Sequence, residues 1–146
     1  MAKRKFTNHI ATIADALSDA IGELTSLAEE AREVCDNMPE SLQQSSRYEA
    51  LDNAASELEG IQEPDVPDAL GAVEVKYSQE APRSARRGLS RNSRVANAVA
   101  QLEAVWEKLD EMCTADENNE EADGLRSDVD DIKGTAEGVE FPGMYG

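Results

Sequence analysis

Residues 10–38 read IATIADALSDAIGELTSLAEEAREVCDNM, and their spacing decides the fold class. Apolar residues fall at Ile10, Ile13, Leu17, Ala20, Leu24, Leu27, Ala31, Val34 and Met38, while Ala14, Ile21, Ala28 and Cys35 widen the stripe on one side. Steps of three and four sustained over about four heptads predict a long amphipathic helix that packs as in a coiled coil or bundle. Thr7 or Asn8 is the expected N-cap. Pro39 lies just beyond Asp36-Asn37, where the helix must already have ended.

The same rhythm recurs on either side of a long break. A second helix, starting near Pro39 or Ser41, carries Tyr48, Leu51, Ala54 or Ala55, Leu58 and Ile61, and stops at Gly60 and Pro64. A third carries Val95, Ala98, Leu102, Val105, Leu109 and Met112, widened by Val99, Trp106 and Cys113. A fourth, starting between Asn119 and Asp123, carries Leu125, Val129, Ile132, Ala136 and Val139 and stops near Gly138, before Pro142. Short connections make each pair an antiparallel hairpin. Between the hairpins, residues 64–90 hold Pro64, Pro67 and Pro82, and their only strand-like patch, AVEVKY, has no neighbour to pair with. They are read as a linker that has room for one extended segment.

The two hairpins align without a gap. Leu17, Ala20, Leu24, Leu27, Ala31 and Val34 fall on Val95, Ala98, Leu102, Val105, Leu109 and Met112, and Cys35 falls on Cys113. Leu51, Ala54, Leu58 and Ile61 fall on Val129, Ile132, Ala136 and Val139, and EGIQEP at 59–64 falls on EGVEFP at 137–142. This predicts a duplicated unit that cannot bury its own face alone. The expected fold is all-α: a first hairpin over 1–63, the linker 64–90, and a second hairpin over 91–146. The two form a four-helix bundle in one chain or are completed by a dimer. Composition agrees, since 40% of residues are apolar but only 4% are aromatic, which favours helical cores over sandwiches.

The block DNMPESLQQSSRYEALDNAASELEGI, residues 36–61, resembles small acidic helical proteins of phage and other mobile elements. The resemblance implies such an origin and brings no activity or functional residue with it.

Chemistry-bearing motifs are sparse. The single histidine, His9, stands at the expected start of the first helix, a poor setting for a Ser-His-Asp or Cys-His site. Cys35 and Cys113 lack the close Cys or His partners of a zinc site, and helix C-termini disfavour thiolates. They read as core residues. In DENNEEADG, 116–124, Glu121 stands where a calcium loop requires glycine. There is no GxGxxG, GxxxxGK[ST] or GxSxG. No catalytic residue, metal or cofactor is expected, and the protein is read as a non-enzyme. No apolar run approaches the roughly 20 residues of a membrane span, and the N-terminus lacks a secretory h-region. A cytoplasmic location is expected, in a host cell if the gene is a phage's, or a virion if the protein is structural.

Charge remains. The chain carries 31 acids against 14 lysines and arginines, a net charge of −17, yet PRSARRGLSRNSR at 82–94 holds five arginines and no acid. Lys3, Arg4 and Lys5 form a smaller basic cluster. Outer helix faces are expected to display Glu57, Glu59, Asp128, Asp130 and Asp131. Such a surface imitates nucleic-acid phosphate and suits a basic groove on a partner. Arg83, Arg86, Arg87, Arg91 and Arg94 are expected to lie along acidic helices of this chain or of a second copy. The other readings are direct contact with nucleic acid, for which they are the only place, and a disordered tether that folds on a partner. The leading expectation is an acidic interaction protein that binds, and inhibits, a host nucleic-acid-handling protein. The alternative is a virion or scaffold subunit that oligomerises through its helical stripes and the arginine segment.

Overall fold

The computed structural model describes residues 6–82 and 89–142. Strand β1 (Phe6–Thr12) runs directly into helix α1 (Ile13–Asp36). The second helix does not start near Pro39 or Ser41 as expected: a 3-10 turn (Glu40–Leu42) lies there, and α2 (Ser46–Glu59) begins where the Ser45 hydroxyl accepts from Tyr48 N–H. A single turn, α3 (Asp68–Gly71), precedes strand β2 (Glu74–Glu80), and α4 (Arg91–Ala115) and α5 (Glu120–Glu137) follow. Helix dominates, as the periodicity requires.

The expectation of an all-α chain needs correction at one place: β1 and β2 form a two-stranded antiparallel sheet, with Phe6 opposite Glu80, His9 opposite Tyr77 and Thr12 opposite Glu74. Two local readings change with it. Residues 6–12 continue the helical spacing through Ile10 but are extended, so the N-cap is Thr12, whose hydroxyl accepts from Asp15 N–H, and not Thr7 or Asn8. Residues 64–82 are no plain linker either. Leu70 and Val75 are buried in the core, and Gly71 brings α3 so near α1 that a Cβ there would stand 3.3 Å from the Ala14 Cβ. AVEVKY finds its strand partner more than sixty residues upstream, with Glu74 opposite Thr12 and Tyr77 opposite His9, beyond the reach of any local pattern.

Helices α1 and α4 form the central pair; α2 packs on α1, and α5 packs on α4. The stripes meet in one core. Leu17, Leu24, Leu27, Leu51, Leu58, Leu102, Val105, Leu109 and Val129 are all essentially inaccessible. Removing such side chains from water supplies about 1.5–3 kcal/mol each, the main favourable term in this fold. Polar latches fix the ends. The Asn92 amide donates to the Phe141 carbonyl (3.0 Å) and accepts from its N–H (2.8 Å), tying the start of α4 to the chain just past α5. Asn97 makes the same two-point bond to Glu80 on β2 (3.0 and 2.8 Å).

Some residues at matching sequence positions have like roles. Thr12 and Ser90 cap α1 and α4 through side-chain oxygens, and Gly60 and Gly138 end α2 and α5. The strands do not follow: β1 abuts α1, whereas residues 81–90 separate β2 from α4.

Candidate interaction surfaces

Internal ion pairs engage nearly all the described cations. Arg32 on α1 reaches across to α2, bonding Asp52, Glu59 (2.6 Å) and the Ser56 hydroxyl (2.9 Å). Between α4 and α5 the polarity is reversed. Asp110 stands at the position matching Arg32 and accepts from Arg126 on α5 (2.7 Å), which also bonds Asp123 (2.7 Å). The hydrogen bonds they donate to these carboxylates hold both guanidiniums above their ordinary pKa. Lys108 pairs with Glu111 and Lys133 with Glu137 along their own helices.

Arg91 and Arg94 lie against α1. Arg94 bonds Glu23 and also Glu30 (2.6 Å), and Arg91 stands 3.5 Å from Glu30. Burial opposes the charge on Arg94, but the hydrogen bonds to Glu23 and Glu30 outweigh it and raise the guanidinium pKa. The pairing order shows α4 running antiparallel to α1, so cations at the start of α4 sit toward the C-terminal half of α1. The negative end of the α1 dipole offsets the positive end of the α4 dipole there. Arg83, Arg86, Arg87 and the Lys3-Arg4-Lys5 cluster lie outside the described residues. Pro82 and Leu89, which flank the first three, line a common cleft with Asp19 and Glu23.

Three of the acids expected on outer faces come together. Asp128 and Asp131 on α5 face Glu57 near the end of α2 across a cleft of about 620 Å³, where Glu63 joins them. Helical spacing explains the α5 wall, since Asp128, Asp131, Ile132 and Thr135 are related by three- and four-residue steps. Ile61 and Ile132 give the cleft apolar lining. No lysine or arginine lines it, and its four carboxylates form no ion pair among the described residues. Glu59 points to the other side of α2, where Glu29, Glu33 and Asp36 of α1 surround its pair with Arg32 in a second cleft. Asp130 is exposed on α5 and lines neither cleft. The end of α2 thus stands between two acidic clefts, and the negative dipole of its C-terminus adds to both. Glu63 escaped the sequence reading, which placed Ile61 and Ile132 in the helical stripes and not in a cleft. Glu63 follows the helix stop, and only packing brings α2 beside α5.

Among the described residues no three His, Cys, Asp or Glu side chains converge as a metal site would require, and no helix is long and apolar enough to cross a membrane. His9 lies on β1, not at a helix start. Its ring stacks on Tyr77 at 5.4 Å, and its Nε2 is 2.8 Å from the Thr7 hydroxyl. Cys35 is buried with its thiol 3.9 Å from the Tyr48 carbonyl, and burial pushes its pKa up; Cys113 is half-buried. No family model matches the chain, and no curated protein or solved structure matches it.

Proposed function

We propose that this chain is a non-catalytic acidic interaction protein that binds, and thereby inhibits, a nucleic-acid-handling protein of its host. The single observation that carries the reading is the cation-free cleft between α2 and α5, lined by Glu57, Glu63, Asp128 and Asp131 over Ile61 and Ile132. The described cations are largely bound in internal pairs, so the acidic excess falls on such outward surfaces. Four carboxylates spread over two helices and the chain just past α2 present charge in the manner of a phosphate backbone rather than a chelate. The apolar lining favours a partner that offers aliphatic stems with cationic tips, as lysine and arginine do. The resemblance of residues 36–61 to proteins of phage and mobile elements supports an origin in which a host enzyme is the target.

The same reading takes the fold as a duplication, a hairpin repeated and packed on its copy as a four-helix bundle. The matched caps at Thr12 and Ser90, the matched stops at Gly60 and Gly138 and the shared stripe support it.

Affinity capture of the tagged chain from host lysate, with and without nuclease, tests the function. Recovery of one nucleic-acid-binding protein, independent of nuclease, displaced by added DNA and lost between 50 and 500 mM salt, supports it. Retention of that protein by a Glu57→Gln, Asp128→Asn, Asp131→Asn variant would move the contact away from this cleft.

A further inference from the structure

Sheets of two strands have two edges, and α4 caps one of them at its end. The Asn97 side chain bonds both the N–H and the C=O of Glu80, and Gln79 Nε2 donates to the Asn97 carbonyl (3.1 Å), so α4 blocks the outer edge of β2 at Glu80. The bonds at Glu80 also fix the phase of the ladder. Glu80 turns its backbone groups away from β1, so its opposite, Phe6, belongs to a non-hydrogen-bonded pair. Pairs alternate from there: Thr7, His9 and Ala11 bond to β2, and Ile13 N–H continues the series to the Val73 carbonyl (2.8 Å). The backbone N–H and C=O groups of Phe6, Asn8 and Ile10 therefore point out from the free edge. No described element covers them.

The side chains at this edge are unusual for the molecule. Phe6 and Ile10 are 61% and 63% exposed and, four residues apart on a strand, lie on one face. β1 is also the only element described here that contains no aspartate or glutamate. Two copies of a chain with net charge −17 repel each other wherever acids meet, and β1 is where they can approach without that cost.

The geometry points to a second copy of this chain as the occupant of the edge, with β1 pairing antiparallel to β1 about a two-fold axis at Asn8. In that register the three outward-facing residues satisfy one another: Asn8 bonds Asn8, and Phe6 and Ile10 of each copy bond Ile10 and Phe6 of the other. Those pairs also stack an aromatic ring on a β-branched side chain on both sides of the axis. The strand is self-complementary, the contact closes on itself, and a four-stranded sheet results. The helical stripes take no part, because the core of the single chain uses them.

Sedimentation equilibrium of the full chain tests this at 50 and 500 mM NaCl. A dimer is expected, unchanged or tighter at high salt because screening relieves the repulsion; the acidic-cleft contact weakens under the same change. Asn8→Pro removes an N–H that β2 does not use, and edge strands tolerate proline. It should raise the dissociation constant about ten-fold or more while far-ultraviolet circular dichroism stays unchanged. Ile10→Glu, an exposed side chain, should do the same, and Leu42→Glu, at an exposed apolar site elsewhere, should not. A chain that is monomeric at every salt and concentration up to about 1 mM overturns the proposal. So does a dimer that survives both β1 variants, or one lost equally to Leu42→Glu.

Discussion

Arg94→Ala removes the cation that joins the two central helices. The Arg94 side chain is 23% exposed and its partners Glu23 and Glu30 are 36% and 37% exposed. The pair therefore lies between an exposed bridge, worth roughly 0.2–1 kcal/mol, and a buried pair broken at one partner, which costs about 3–5 kcal/mol. Two half-buried carboxylates remain on one face of α1, with only Arg91 near one of them. We expect a loss of about 1–2.5 kcal/mol. For a chain of 146 residues, unfolding entropies of about 2.1 cal/mol/K per residue turn that into a fall in Tm of roughly 3–8 °C. Melting followed by circular dichroism at 20 and 500 mM NaCl measures it, and the gap should narrow at high salt without closing. Arg94→Lys keeps the charge but loses the fork, so it should fall in between. A double-mutant cycle with Glu23→Gln should give a coupling of about 1 kcal/mol. A Tm shift below about 1 °C, or zero coupling, would refute the claim that this bridge holds α1 to α4.

Leu24→Ala and Leu102→Ala, at matching inaccessible positions, should each cost about 2–5 kcal/mol in urea unfolding. Ile10→Ala should cost under about 0.5 kcal/mol, and a loss like that of Leu24→Ala would return residues 6–12 to the core helix. Asn92→Ala strands the Phe141 backbone groups at a part-buried site and should cost about 1–3 kcal/mol, read from the same urea curves; no change would dismiss the latch. Because burial raises the Cys35 pKa, the unfolded chain ionises this thiol first as pH rises. The folded state is thus favoured below the ordinary thiol range and loses that advantage in alkali. Native protein should show one fast thiol toward a disulfide reagent and two after denaturation, and Cys35→Ala should flatten the alkaline loss of stability. Exchanging the second clamp, Asp110→Arg with Arg126→Asp, should restore Tm relative to either single change; a double variant no better than the singles would show that the pair is not a bridge.

Local periodicity determined the helices, because an apolar residue every third or fourth position leaves a helix one face that must be buried. The ends followed from Pro39, Gly60, Gly138 and Pro142, residues whose backbones cannot or need not continue a helix. The excess of acid and the position of the arginines were also legible, since charge is a property of composition. The strands were not. Residues 6–12 continue the helical rhythm through Ile10, and AVEVKY has no local partner. A ladder becomes favourable only when two distant segments meet, and α4 has to present Asn97 beside them. The acidic cleft divides the same way. That Glu57, Asp128 and Asp131 lie outward is written in helical spacing, but that they face one another, with Glu63 beside them and Glu59 turned away toward Arg32, depends on where α2 and α5 settle around α1 and α4. Tertiary packing alone decides that, because relative helix position is set by the side chains that interlock in the core and by no residue at the surface it creates.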